Sequence, residues 1–224
     1  MSTLVAMDPR TVPVVGIDFH LPAVAKQLLQ PGKLEDRFRS PPAWVPELRS
    51  EVSFSDRAFA DAAVLMAVVT HDRPTLLLTQ RTSHLSTHAG QIAFPGGKCD
   101  PEDADAAATA LREAWEEVGL DPNRVQILGE RPVYTTGSSF RVTPVVGLVK
   151  PGFRLNPNPD EVSEVFEVPL DYLMNPATHR RHLHMKDGVR REWFSMPWFD
   201  GQREHFVWGA TAGMIRNFYC MLIA

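Results

Sequence analysis

Residues 91–120, QIAFPGGKCDPEDADAAATALREAWEEVGL, constrain the fold more than any other stretch. A short apolar run ends in a Pro-Gly-Gly turn, an acidic loop follows, and a helix closes the segment. Ala104, Ala107, Ala108, Leu111, Trp115 and Val118 recur at helical spacing and predict one apolar stripe. Asp103 or Asp105 supplies an N-cap, and Gly119 stands where a helix stops. At about 100° per residue, Glu113, Glu116 and Glu117 fall opposite that stripe. Glu113 and Glu117 are one turn apart, and like charges at that spacing cost a few tenths of a kcal/mol. Arg112 pairs with Glu116 at i+4 but cannot neutralise all three. A solvated acidic face is the ordinary explanation of such a cluster. A hard cation such as Mg²⁺ or Mn²⁺, which prefers oxygen ligands, is the other, because it removes the repulsion. Gly97 just upstream lets the backbone approach a ligand or metal closely.

The rest of the chain is rich in strands. AAVLMAVVTH (62–71) and TLLLTQR (75–81) read as strands joined by an HDRP turn. RVQILGERPVY, FRVTPVVGLVK and SEVFEVPL are further strands, the last followed by a short helix from Pro169. REWFSMPWF and REHFVWG predict a hairpin with Asp200-Gly201 at its tip, and ATAGMIRNFYCMLIA a closing helix. Many strands around two main helices predict an α+β fold, an α/β/α arrangement with a mixed sheet between helices. Residues 1–58 read as an N-terminal appendage to a domain spanning 59–224. Within it, LPAVAKQLLQ is a candidate short helix and SPPAWVPELR a proline-stiffened extended connector.

Composition narrows the partners. At 224 residues with net charge −4, the chain carries no overall basic field for nucleic acid. No run approaches the ~18 apolar residues of a membrane span, and the N-terminus lacks a secretory pattern. Cys99 and Cys220 form no metal-ligand or C-x-x-C pattern. A cytoplasmic protein acting on a small molecule is the expectation, with a homodimer left open. Phosphate-rich ligands would then need local cations or a metal.

The segment from Gly97 to Leu120 resembles the Nudix box, G-x5-E-x7-R-E-U-x-E-E-x-G-U, where U is a large apolar residue. Gly97, Arg112, Glu113, Glu116, Glu117, Gly119 and Leu120 match it. Ala114 stands at a U position, and one extra residue places the first acid on Asp103. Upstream, LLTQRTSHLSTHAGQIAFPGG (77–97) is similar to the coenzyme A pyrophosphatase branch, L-L-T-x-R-(S/A)-x3-R-x3-G-x3-F-P-G-G. Thr82 replaces its small residue and Ser86 its second arginine. VTPVVG, EVSEVFEVPL and FVWGATAGMIR also look like bacterial members.

The resemblance implies metal-dependent hydrolysis of the pyrophosphate bond in a nucleoside diphosphate derivative. Coenzyme A, cleaved to 3′,5′-ADP and 4′-phosphopantetheine, is the first substrate expected. ADP-ribose, a dinucleotide or an oxidised nucleotide is the alternative, and a non-catalytic nucleotide sensor the rival of another class. Carried over, Glu113, Glu117 and Glu116 with Gly97 are the metal site for Mg²⁺ or Mn²⁺, and Arg112 orients the glutamates. One glutamate of this set, or a distal one (Glu161 or Glu164), takes the proton from water. Arg81, His84, His88 and Lys98 are candidate phosphate contacts. Trp193, Trp198 and Trp208 read as packing residues, with stacking on an adenine as the alternative.

Overall fold

The computed structural model describes residues 8–53, 55, 57–84, 89–186 and 188–224. Its strands are β1 (Val14–Ile17), β2 (Ala60–Val69), β3 (Thr75–Arg81), β4 (Ile92–Ala93), β5 (Gly96–Lys98), β6 (Val125–Glu130), β7 (Tyr134–Thr135), β8 (Phe140–Val149), β9 (Val162–Pro169), β10 (Arg180–Lys186), β11 (Val189–Phe199) and β12 (Glu204–Trp208). Its α-helices are α1 (Pro31–Arg39), α2 (Ala106–Val118), α3 (Leu170–Leu173) and α4 (Gly209–Ile223).

The main sheet runs β4-β3-β2-β8-β6, with β5 on β2, β7 on β8 and β9 on β3. β2 and β8 pair in parallel and their neighbours antiparallel, so the sheet is mixed. β2 shows why helices cover both faces. Ala63, Leu65, Ala67 and Val69 are fully buried on one side, and Met66 and Val68 on the other. A strand apolar on both faces needs two covers. Ala110, Ala114 and Val118 of α2 close the first face. Met214, Ile215 and Phe218 of α4 join the core on the second, together with Phe194, Met196 and Val207 of a second sheet ordered β1-β10-β11-β12. The expected α+β fold, with a mixed sheet between helices, is what forms. No helix among the described residues is long and apolar enough to cross a membrane.

Three local expectations are corrected. The stripe on α2 is rotated: its centre is Ala110, Ala114 and Val118, while Trp115 is 55% exposed and Glu117 only 4%. The glycine pair is not a turn but a strand, β5, paired with Ala63 and Val64. LPAVAKQLLQ forms only a single 3-10 turn at Lys26–Leu29, and the helix begins at Pro31 instead. Proline suits a first helical position, and it holds the preceding Gln30 extended, at φ −70° and ψ 146°.

Residues 1–58 are expected to be an appendage, and those that are described make extensive contacts with the rest of the chain. Among those described, β1 pairs with β10 and extends the second sheet. Leu29 and Leu34 are buried in the same core as α4. Asp18 and Glu47 converge on Arg181 and Arg216 at 2.6–2.9 Å, and the Arg216 side chain is 2% exposed. Burial alone would raise both carboxyl pKa values, but the hydrogen bonds and charges of Arg181 and Arg216 outweigh it and hold both below the usual range. Burial holds the adjacent His179 down to about 4, so its neutral ring accepts from Arg216 through Nδ1 and donates to the Leu173 carbonyl through Nε2. The described residues of this segment pair with the second sheet and pack into the core. Its polar anchors carry no apolar period, so nothing in the sequence pairs them with residues some 160 positions away.

Candidate active site

α2 lies against β2 and β5, and its start and stop are both defined. The Asp105 carboxylate accepts from the Ala108 amide at 2.8 Å, and Gly119 adopts φ 69° as the C-cap. Asp103 does not cap the helix. It accepts from Thr109 Oγ1 and from two nitrogens of Arg112, and these hydrogen bonds, Arg112 first, hold it well below the usual carboxylate range.

Arg112 is the centre of one polar cluster. It donates to Asp103, to Glu113 at 3.0 Å, to Glu116 at 3.1 Å and to the Lys98 carbonyl at 3.1 Å. It orients one face of the helix and ties it to β5. Glu116 is the outermost of the three glutamates, with a side chain 55% exposed.

Glu117 faces inward. Its Oε2 accepts from the Gly96 amide at 3.1 Å, and Oε1 stands 3.5 Å from Arg81. Burial raises its pKa to about 7, against the pull of Gly96 and Arg81 and with the push of Glu161 and Glu113. Glu113 is raised too, by burial and by the charges of Glu116 and Glu161 against Arg112. Glu161 therefore stands within electrostatic reach of both, whereas Glu164 forms an ion pair with Arg203 of the last hairpin. Of the two candidate distal acids, the fold brings Glu161 to the glutamates and engages Glu164 elsewhere.

These donors fit a hard divalent cation. Carboxylates with raised pKa values crowd one another, and a cation would offset that charge. Among the described residues no ready group of three acidic, histidine or cysteine side chains encloses a metal. Arg112 engages Glu113 and Glu116, while Gly96 and Arg81 engage Glu117. The glycines make the crowding possible. A β-carbon on Gly97 would run into the Glu113 carboxylate, and one on Gly96 into the Ala63 carbonyl.

Two expectations follow. Gly97→Ala displaces a flexible carboxylate, so kcat should fall at least about tenfold with little loss of stability. Gly96→Ala meets fixed backbone and should destabilise the fold by at least ~1–3 kcal/mol. Activity and urea melts of the two variants check the contrast. The second expectation concerns pH. The folded pKa of Glu117 lies above the ordinary 4.5, so between pH 4.5 and about 7 the folded state keeps a proton that the unfolded chain has released. Metal-free stability should therefore fall as pH rises through that window, by roughly 3 kcal/mol at most. Denaturation in chelator at several pH values reads this, and Glu117→Gln should flatten the curve.

A cavity of about 420 Å³ adjoins the cluster, on the α4 side of the main sheet. Arg81, Lys98, Gly96 and Gly97 are on its wall, with Phe94, Phe140 and Met214 among its apolar residues. Arg81 thus touches both Glu117 and the cavity. Lys98 lies over the Phe140 ring at 5.8 Å. His84 is not on this wall: its Nε2 donates to the Asp160 carbonyl at 3.1 Å in a turn. His88 lies outside the described residues. Trp193 and Trp198 pack against His182 and Phe166, while Trp208 lies on the cavity wall. Sequence reasoning missed Glu51, which reaches the same wall from before β2.

Residues 60–194 match the NUDIX domain family model. A curated Escherichia coli K12 protein, described as the uncharacterized Nudix hydrolase NudL, is 44% identical over 170 residues, covering 76% of this chain and 86% of the relative. The NudL of Shigella boydii serotype 18 is 43% identical over the same shares. Among solved structures, a Caenorhabditis elegans Ap4A hydrolase binary complex superposes with TM-score 0.43 at 20% identity, over 53% of this chain and 85% of that one. The NUDIX domain of Shewanella oneidensis NrtR with ADP ribose gives 0.40 at 22%, over 51% and 75%.

Proposed function

The chain belongs to the Nudix hydrolase family, and on that premise we propose that it hydrolyses the pyrophosphate bond of coenzyme A or its derivatives, releasing 3′,5′-ADP and the 4′-phosphopantetheine half. The observation that carries this reading is Arg81, which joins the buried Glu117 to the wall of the adjoining cavity. It gives a pyrophosphate one place beside both carboxylates and cations. The likeness of residues 77–97 to the coenzyme A branch supports the choice of substrate.

Glu113, Glu117 and Glu116 would hold the divalent cation, Mg²⁺ or Mn²⁺, with Gly97 leaving the room that their carboxylates need. When bound, the cation supplies Lewis-acid polarisation of the phosphate oxygens and offsets charge on the leaving phosphate. The residues of the chain do the rest. A glutamate takes a proton as the water oxygen bonds to phosphorus, and the P–O–P bond breaks with its electron pair going to the leaving phosphate. Glu117 is one candidate base only where it does not hold the cation, since its pKa near 7 belongs to the metal-free site and a bound cation would lower it. Glu161 is the second candidate base because its charge reaches the same pair. Arg112 keeps Glu113 and Glu116 in place, and Arg81 and Lys98 face the substrate phosphates.

Ser86, where the coenzyme A pattern has a second arginine, favours a second reading, a substrate with one phosphate fewer such as ADP-ribose. A panel of coenzyme A, ADP-ribose and NADH with Mg²⁺, read by mass spectrometry, separates the two. Coenzyme A should give the highest kcat/KM. An ADP-ribose or NADH value about tenfold above it would reject the coenzyme A assignment and keep the family chemistry.

A further inference from the structure

We infer that Glu51, which lies outside the stretch matching the family model, is a specificity residue whose carboxylate accepts a hydrogen bond from an N–H group in the non-reacting part of the substrate. The inference rests on the cavity being the substrate site, as proposed above.

Three observations carry it. First, the chain builds Glu51 into place with main-chain bonds. Ser50 bridges Thr135, the Thr135 amide donates to the Arg49 carbonyl at 2.9 Å, and the Glu51 amide donates to the Thr135 carbonyl at 2.8 Å. Residues 49–51 thus run alongside the end of β7 and fix where the side chain starts. Secondly, the carboxylate is itself oriented. Oε2 accepts from the Gly137 amide at 2.9 Å, and Oε1 accepts from the Tyr134 hydroxyl at 3.4 Å. A β-carbon on Gly209, the first residue of α4, would lie 3.9 Å from Oε1, so the group stands at the entry of that helix. Thirdly, Glu51 contributes an acid to a wall whose cations are Arg81 and Lys98 and whose other residues are mostly apolar.

The chemistry follows from what a carboxylate can do. It accepts hydrogen bonds from several directions and donates none, so it selects a donor. It also repels an anion brought close to it. A substrate that carries phosphates toward Arg81 and Lys98 is therefore turned so that a neutral N–H group faces Glu51. In a nucleoside diphosphate derivative that donor is either the exocyclic amine of the purine or an amide of a pantetheine-like arm. A site built to accept from N–H loses affinity steeply when one partner is removed.

The test uses the full chain carrying Glu51→Gln and Glu51→Ala, with kcat and KM measured on coenzyme A and on ADP-ribose in Mg²⁺. Glu51→Ala should raise KM roughly tenfold or more, with a much smaller change in kcat. Glu51→Gln keeps a carbonyl acceptor and should recover part of the loss. A rise on both substrates assigns the purine amine, since both carry adenine. A rise on coenzyme A alone assigns the amide arm. An unchanged KM on both substrates, or a loss confined to kcat, overturns the role, and a lower melting temperature without a KM change marks Glu51 as only a support for Gly137. Calorimetric titration of coenzyme A into metal-free protein separates this result from the proposed function. If wild-type protein binds coenzyme A in this titration but does not cleave it once Mg²⁺ is added, the hydrolysis reading fails while the affinity of the Glu51 variants still decides the inference.

Discussion

Glu117→Gln is expected to lower kcat by roughly 10²-fold or more, about 2.7 kcal/mol of transition-state stabilisation. The substitution keeps the shape and leaves a carbonyl to accept from the Gly96 amide, so the fold has no reason to fail. It removes a charge that burial already disfavours, as the rise of the Glu117 pKa to about 7 shows. Metal-free melting should therefore stay level or rise at pH 8. The gain in melting temperature on adding Mg²⁺ should shrink, because a ligand stabilises in proportion to its affinity for the folded state. A solvated-face glutamate would behave the other way, with normal activity and no metal-dependent shift to lose. Near-normal kcat would sink the metal assignment for this residue.

The second large effect is loss of the fold on truncation. A chain starting at Ser55 loses β1, the fully buried Leu34, and Leu29 at 1% exposure. It also strips Arg216 of both its carboxylates, Asp18 and Glu47. Breaking one partner from a buried pair costs ~3–5 kcal/mol, and each buried leucine lost ~2–5 kcal/mol. The sum exceeds the ~5–15 kcal/mol that holds an ordinary domain together at its lower end. The truncated chain should be insoluble or show no cooperative melt. Glu47→Gln is the milder probe, since Asp18 still pairs with Arg216, and it should cost at least ~1 kcal/mol in urea denaturation. A truncated protein that melted cooperatively with wild-type kcat would support the appendage reading of residues 1–58.

The sequence by itself determined the elements that rest on local patterns. The apolar run of β2, the hairpin tip at Asp200-Gly201, a start of α2 at Asp103 or Asp105 with its stop at Gly119, and the glutamate spacing are all readable because period and capping act within a few residues. The same locality explains the errors. Ala104 to Val118 offers several small residues around the helix, so its period could not tell which side meets the sheet. Only the packing of Ala110, Ala114 and Val118 on β2 and β8 turned Glu117 inward and Trp115 outward. β10, RRHLHMK, has only Leu183 and Met185 as apolar residues, too few to mark a strand, and became one because β1 and β11 pair with it on either side.

The tertiary structure alone decided the electrostatics. The spacing of Glu113, Glu116 and Glu117 shows three acids on a helix but not their burial, and burial is what separates the exposed Glu116 from a Glu117 with a pKa near 7. Glu161 and Glu164 are equivalent as letters three positions apart, yet one reaches the cluster and the other is engaged by Arg203. Glu51 and the Asp18–Glu47–Arg181–Arg216 network were invisible for the same reason. Charge interactions depend on distance and on exclusion of water, and chain folding sets both between residues that no sequence period connects.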